Sequence, residues 1–186
     1  WSYPLNNNTL VNGVSYIIYS RAQDNAGNFQ TEFGVDTMTY DLTNPITGVV
    51  YDGATISQDS DWSNSTSEIS GNWSGFSDVT SGIEEYEYSI GSTPGGTDVL
   101  QWTENGLETV FIESVALNSG SAYYISVRAT DGATNVSNIA TSDGITVDAV
   151  QPNIFDIIEG STSADLDYQQ DASSLQVSWS GSDAIR

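Results

Sequence analysis

Cysteine, histidine and lysine are all absent from this 186-residue chain, and proline occurs only four times. Without cysteine there is neither a disulfide framework nor a thiolate site. Without histidine or lysine, the usual bases that activate a serine nucleophile are missing, so serine-based hydrolysis has no constellation to form. Positive charge is scarce: three arginines (Arg21, Arg128, Arg186) face 25 acidic residues, for a net charge of −22. Such a surface repels phosphate backbones and anionic lipid, which excludes nucleic acid as a partner. It suits cations, a salty medium or cationic partners. No apolar run approaches the roughly 18 residues that cross a bilayer, so no membrane span is expected. The first eight residues lack the basic start and apolar stretch of a signal peptide. Helical periodicity is missing as well.

What the chain does have is a repeat. The stretch LVNGVSYIIYSRAQDNAGN from Leu10 aligns with LNSGSAYYISVRATDGATN from Leu117, an offset of 107 residues. The alignment continues without a gap: MTYDLTNP (Met38 to Pro45) falls on ITVDAVQP (Ile145 to Pro152), and VVYDGAT (Val49 to Thr55) on DIIEGST (Asp156 to Thr162). After one deletion, GNWSG (Gly71 to Gly75) meets VSWSG (Val177 to Gly181). The expected organisation is the C-terminal part of one repeat over 1–44, a complete repeat over 45–150, and the N-terminal part of the next over 151–186, with the parent protein continuing in both directions.

The complete repeat reads as short strands broken by turns. In Glu84 to Ile90, Tyr86, Tyr88 and Ile90 take one face while Glu85, Glu87 and Ser89 take the other. Val110 and Ile112 alternate with Phe111 and Glu113; Tyr123, Ile125, Val127 and Ala129 alternate with Tyr124, Ser126, Arg128 and Thr130. Several such strands with antiparallel alternation imply an all-β, two-sheet sandwich.

Leu117-Asn-Ser-Gly-Ser-Ala-Tyr123-Tyr-Ile125-Ser-Val127-Arg-Ala129 resembles the fibronectin type III pattern L-x-x-G-T-x-Y-x-V-x-V-x-A, an Ig-like β-sandwich found in tandem repeats of large secreted or cell-surface proteins. The resemblance implies a core tryptophan on the second strand, which matches Trp73 and Trp179. It implies a tyrosine corner, which matches Tyr123 and Tyr16, with a hydroxyl tied to backbone upstream. Pro45 and Pro152 follow the junctions and should stiffen them.

Within that fold, the turn after the sixth strand, the loop between the second and third strands and the incoming linker share one pole. This groups Asp131 and Asn135, Asp78 and Asp41, with Asp24, Asn28 and Asp148 as repeat counterparts. Calcium takes about six to eight oxygens from such groups; alternatively, Asp131 and Asn135 form local Asx turns. Asp59 and Asp61, with Asp165 and Asp167 in the next copy, make a second acidic cluster at the opposite pole, either facing a neighbouring repeat or simply solvated. Glycosidase chemistry needs two spaced carboxyls, one of raised pKa. Glu84, Glu85 and Glu87 form the obvious group, but Glu85 and Glu87 are expected on an exposed face and no insertion builds a cleft. Sequons occur at Asn7, Asn64, Asn72 and Asn135. Asn72 precedes a core residue on a strand and is expected to point outward. Trp62 and Trp102, the latter on an expected edge strand, offer rings for sugar stacking or for edge protection.

These features point away from an enzyme. They point to a spacer or adhesive segment of an extracellular stalk or filament, whose partners are neighbouring repeats, copies of itself, or a cell-surface or glycan receptor. The alternatives are an accessory spacer of a large secreted enzyme and a carbohydrate-binding module.

Overall fold

The computed structural model describes residues 9–159, 168, 170, 173, 174 and 177–183. A two-stranded antiparallel sheet pairs β1 (Val14–Ser20) with β2 (Gly34–Tyr40). Next come two facing sheets. The smaller has the order β3 (Val49–Asp52), β5 (Ile69–Ser74), β8 (Val110–Glu113), all antiparallel. The larger has the order β4 (Trp62–Ser63), β11 (Ile145–Val147), β9 (Ala122–Asp131), β6 (Ile83–Gly91), β7 (Leu100–Gly106), with β10 (Ala140–Thr141) also paired to β9. A last antiparallel pair joins β12 (Asn153–Glu159) to β13 (Val177–Ser182). Three strands facing a sheet in which β9 lies between β6 and β11, with β7 at the outer edge beside β6, form the fibronectin type III-like sandwich that the sequence implies.

The alternation expected from the sequence holds where the core is. Tyr86, Tyr88 and Ile90 on β6, and Tyr123, Ile125, Val127 and Ala129 on β9, all point inward and are buried. On β8 it is Phe111 that turns inward, while Ile112 faces solvent. Trp73 is 1% exposed at the centre of β5. Around it stand Tyr86 at 5.5 Å, Phe111 at 6.3 Å and Tyr88 at 6.4 Å between ring centroids, and Tyr88 stacks on Phe111 at 3.9 Å. Large buried aromatics in tilted and edge-on contact supply most of a small domain's apolar burial. The tyrosine corner is present twice with one geometry: Tyr123 Oη accepts the N–H of Asn118 at 2.8 Å, and Tyr16 Oη accepts that of Val11 at 2.8 Å.

Gly71 shows how tight the fit is. A Cβ there would lie 2.6 Å from Ile125 Cδ1 and 2.8 Å from Phe111 Cε1. The corresponding residue of the next repeat is Val177, so the two copies cannot share one packing at this point.

Asn72 departs from the sequence expectation. It is fully buried rather than outward-facing. Its Nδ2 donates to Gly53 O at 2.9 Å and Gln58 O at 3.2 Å, and its Oδ1 accepts the N–H of Ser57 at 2.8 Å. The loop between β3 and β4 folds over the outer face of β5, and the amide satisfies that loop's backbone. A strand face that alternation marks as outward is thus covered by chain from elsewhere.

Candidate functional site

The first acidic pole is built where the linker enters the sandwich. Asp131 ends β9, Asp78 follows β5, and Asp41 follows β2. One carboxylate oxygen from each lies within 4.8 Å of the others. Asp41 and Asp131 are buried, and Asp78 is half-buried. Each carboxylate already accepts hydrogen bonds. Asp131 Oδ1 takes the N–H groups of Ala133 at 2.9 Å and Asn135 at 2.8 Å, and Oδ2 takes Asn135 Nδ2 at 2.9 Å. Asp78 Oδ1 takes the N–H groups of Ser81, Thr80 and Gly82, which hold its pKa below the ordinary carboxylate range, the Ser81 bond foremost. Asp41 Oδ1 takes the N–H of Thr43 at 2.9 Å, and its Oδ2 takes the Ser81 hydroxyl at 2.7 Å.

Asp24 and Asn28 do not join this group. They form the same turn in the preceding repeat, with the same three bonds at 2.9, 2.8 and 2.9 Å. Bonds from Asn28, led by its side chain, lower the Asp24 pKa. These are Asx turns. Asp148 lies after β11, beside the start of β9, whereas Asp131 ends that ten-residue strand. At ~3.3 Å per residue the two are about 30 Å apart along the strand. The complete repeat therefore gathers Asp41, Asp78, Asp131 and Asn135 at one end, and leaves Asp148 at the other for the next junction.

Hydrogen bonds of the linker itself repeat at both junctions. Leu42 N–H donates to Asn12 Oδ1 at 2.7 Å, and Ala149 N–H donates to Ser119 Oγ at 3.0 Å. Thr43 N–H bonds Asp41 Oδ1 at 2.9 Å, and Val150 N–H bonds Asp148 Oδ1 at 2.9 Å. All four residue pairs are related by the 107-residue offset. At the first junction Asn135 Nδ2 also reaches Asp41 O at 3.4 Å, and Ile46 N–H bonds Ser77 O at 2.7 Å.

A second acidic group comprises Asp52, Asp59 and Asp143, again with one oxygen from each within 4.8 Å. The sequence pointed to Asp59 and Asp61 here; Asp165 and Asp167 lie outside the described residues. Asp61 contributes its carbonyl instead, accepting Thr146 N–H at 2.9 Å. Asp52 and Asp143 went unnoticed because an acid inside a strand and an acid in a distant turn share no local motif. Burial pushes the Asp52 carboxyl up to about 7, against the pull of the nearby Ser142 hydroxyl and of the Gly144 N–H, with the charges of Asp59 and Asp143 adding to the rise.

The remaining candidates are placed as follows. Glu85 and Glu87 are half-buried rather than exposed, and Glu87 is engaged in an ion pair with Arg128, Nε to Oε2 at 2.7 Å and Nη2 to Oε1 at 3.0 Å. The partner of Glu87 comes from the neighbouring strand β9, which strand alternation alone does not reveal. Trp102 does lie on the edge strand β7, half-buried, with the Arg128 guanidinium 4.5 Å from its ring centroid. A cation occupies one ring face. Trp62 sits on β4 and is exposed. Among the sequons, Asn64 is exposed, Asn135 has its amide committed to Asp131 and Asp41, and Asn7 is outside the described residues. Among the described residues no helix is long and apolar enough to cross a membrane.

No family model matches the chain, and no curated protein matches it. Among solved structures it is similar to the crystal structure of chicken CNTN1 FN1-FN3 domains, with 17% identity and a TM-score of 0.38. The match covers 74% of this chain and 45% of that one, so the chain spans less than half its length. The strand order described above, rather than this likeness, defines the fold.

Proposed function

We propose that this chain is a segment of an extracellular stalk or filament, in which similarly bonded junctions set successive sandwiches at a fixed orientation. It acts as a spacer or in cell-surface adhesion and carries out no catalysis. One observation carries this reading: the hydrogen bonds of residues 42 and 43, which tie the linker to the sandwich before it, recur at 149 and 150, and at the first junction Ser81 Oγ and Asn135 Nδ2 tie Asp41 to the sandwich after it. A flexible hinge needs no such bonds. A rod does, because any angular freedom at a junction accumulates along an array in which each unit contacts only its neighbours.

Calcium at the first pole belongs to the same proposal. Asp41, Asp78 and Asp131 would supply anionic oxygens and Asn135 an amide, so an ion there would tie linker to sandwich more firmly. The high negative charge keeps neighbouring rods apart in solution unless cations bridge them. Small-angle scattering from a chain carrying several repeats in tandem tests the reading. The largest dimension should grow linearly with repeat number, and Asn12→Ala with Ser81→Ala should shorten it by loosening the junction. A compact particle, or a length unaffected by repeat number, would sink the stalk.

A further inference from the structure

Three buried polar side-chain atoms among the described residues have no hydrogen-bond partner: Asp52 Oδ1, Trp73 Nε1 and Ser89 Oγ. Only the first belongs to an ionisable group. Asp52 is 0% exposed, at the inner end of β3. Its other oxygen accepts the Gly144 N–H at 3.1 Å. The ionisable groups beside it, Asp59 and Asp143, carry the same sign. A buried carboxylate without a counter-charge is costly, and this protein has little with which to supply one. There is no lysine or histidine. Arg128 is committed to Glu87, and Arg21 lies over Phe29, 4.0 Å from its ring centroid, next to the first hairpin. Among the described residues, no cationic side chain reaches Asp52.

The pieces around it are held in place. Asp59 Oδ1 accepts the backbone N–H of Asp52 at 2.8 Å, which leaves the rest of the Asp59 carboxylate beside the cluster. Asn72 pins the loop that carries Asp59 at three points. Asp59 and Asp143 are exposed, so their outer sides remain open to water. The sequence repeats the acids as well: Glu159 and Asp165 stand at the positions of Asp52 and Asp59 in the next copy, and Asp36 at that of Asp143 in the preceding one.

We propose that Asp52, Asp59 and Asp143 bind a calcium ion, with the orphaned Asp52 Oδ1 as the inner ligand and the two exposed carboxylates closing over it. An all-oxygen, anionic donor set selects a hard divalent cation. Three carboxylates from a strand, a loop and a turn, completed by water, suit calcium's tolerance of irregular geometry better than magnesium's octahedral demand. The site lies at the pole away from the Asp41 junction and is independent of it. Each complete repeat would hold one such ion, fastening the loop before β4 to the turn before β11.

Radiocalcium equilibrium dialysis on the full 186-residue chain, stripped with EDTA, tests this, with thermal melts alongside. Calcium is raised to roughly ten times the ~10⁻³ M dissociation constant of weak extracellular modules. The wild type should bind an ion that Asp52→Asn and Asp143→Asn each lose, with at least a tenfold drop in affinity, while Asp78→Asn at the other pole retains it. In EDTA, Asp52→Asn should melt at or above the wild type, since a neutral amide replaces a buried charge. If it does not fold, the exposed Asp143→Asn decides the matter. Equal calcium binding by the wild type and Asp143→Asn overturns the proposal, as does the absence of any bound calcium. Loss of the only bound ion in Asp78→Asn, with Asp143→Asn unaffected, would also overturn it while upholding calcium at the junction.

Discussion

Replacing Asn72 with alanine removes three hydrogen bonds at once: two donated by Nδ2, to Gly53 O and Gln58 O, and one accepted by Oδ1 from Ser57. Each is worth about 1 kcal/mol net. Ser57 and Gln58 lie on the exposed side of the loop, so water recovers part of the loss. Ser57 holds a φ of 59°, in the left-handed region, where a residue other than glycine persists only if its surroundings enforce it. Losing the Asn72 acceptor releases that constraint. The expected cost is about 2–3 kcal/mol, or roughly a 10–20 °C fall in melting temperature for a domain of about a hundred residues. Urea unfolding in EDTA, followed by tryptophan fluorescence through Trp73, reads it directly. Asn72→Ser, which installs the Ser178 of the next repeat, should recover at most about 1 kcal/mol, because a hydroxyl reaches only one of the three partners. A loss below about 0.5 kcal/mol for Asn72→Ala would refute the claim that this amide organises the loop. By the same geometry, folded protein secreted from a eukaryotic host should carry no glycan at Asn72, while the exposed Asn64 remains available; peptide mass spectrometry distinguishes the two.

Thr134 has a φ of 69°, where the matching turn of the preceding repeat uses Gly27 at 90°. Thr134→Gly should therefore stabilise by about 1 kcal/mol, the relief of β-branched strain exceeding glycine's entropic cost; a destabilised variant in urea unfolding would contradict this. Gly71→Val should cost about 1–3 kcal/mol by driving methyl groups into Ile125 and Phe111, and an unchanged midpoint would mean the core repacks freely there. The Ser92 hydroxyl, followed by the Ser92 N–H, lowers the pKa of Asp98 below its ordinary 3.8. Its contribution to stability is thus complete above the unfolded pKa and is lost as pH falls through the folded one. A carboxyl NMR titration should place Asp98 below that value, and Ser92→Ala should move it back up.

The sandwich was legible because the core strands alternate cleanly, and because the corner tyrosines and Trp73 carry spacing that survives repetition. The junction residues were legible too, since Asp41 and Asp148 share a repeat position and the turns at Asp24 and Asp131 share their Asp, Ala and Asn positions. What escaped notice depended on chain crossing from one sheet to another. Asn72 was misread because alternation reports only on a strand's own two faces, and the covering loop arrives from 15–19 residues upstream. The grouping of Asp52 with Asp143 needs contact between positions 91 residues apart. The recurrence of acids at 36, 52, 59, 159 and 165 was the one linear trace of it, and only the fold shows that these positions converge.

Strand β4 runs parallel to β11, with Thr146 N–H bonded to Asp61 O at 2.9 Å and Asp148 N–H to Ser63 O at 2.7 Å. One strand belongs to the entering part of the repeat and the other to its exit. In the proposed stalk, tension along the array would drag them past each other lengthwise, loading these crosswise bonds in shear so that they must break together. An antiparallel hairpin such as β1 and β2, gripped at its open end, peels one bond at a time. Resistance to pulling is a matter of unfolding rate rather than equilibrium stability. Under such a load the two-residue pairing of β4 with β11 would be the clamp, and its shortness would set how much force each unit bears before it gives way.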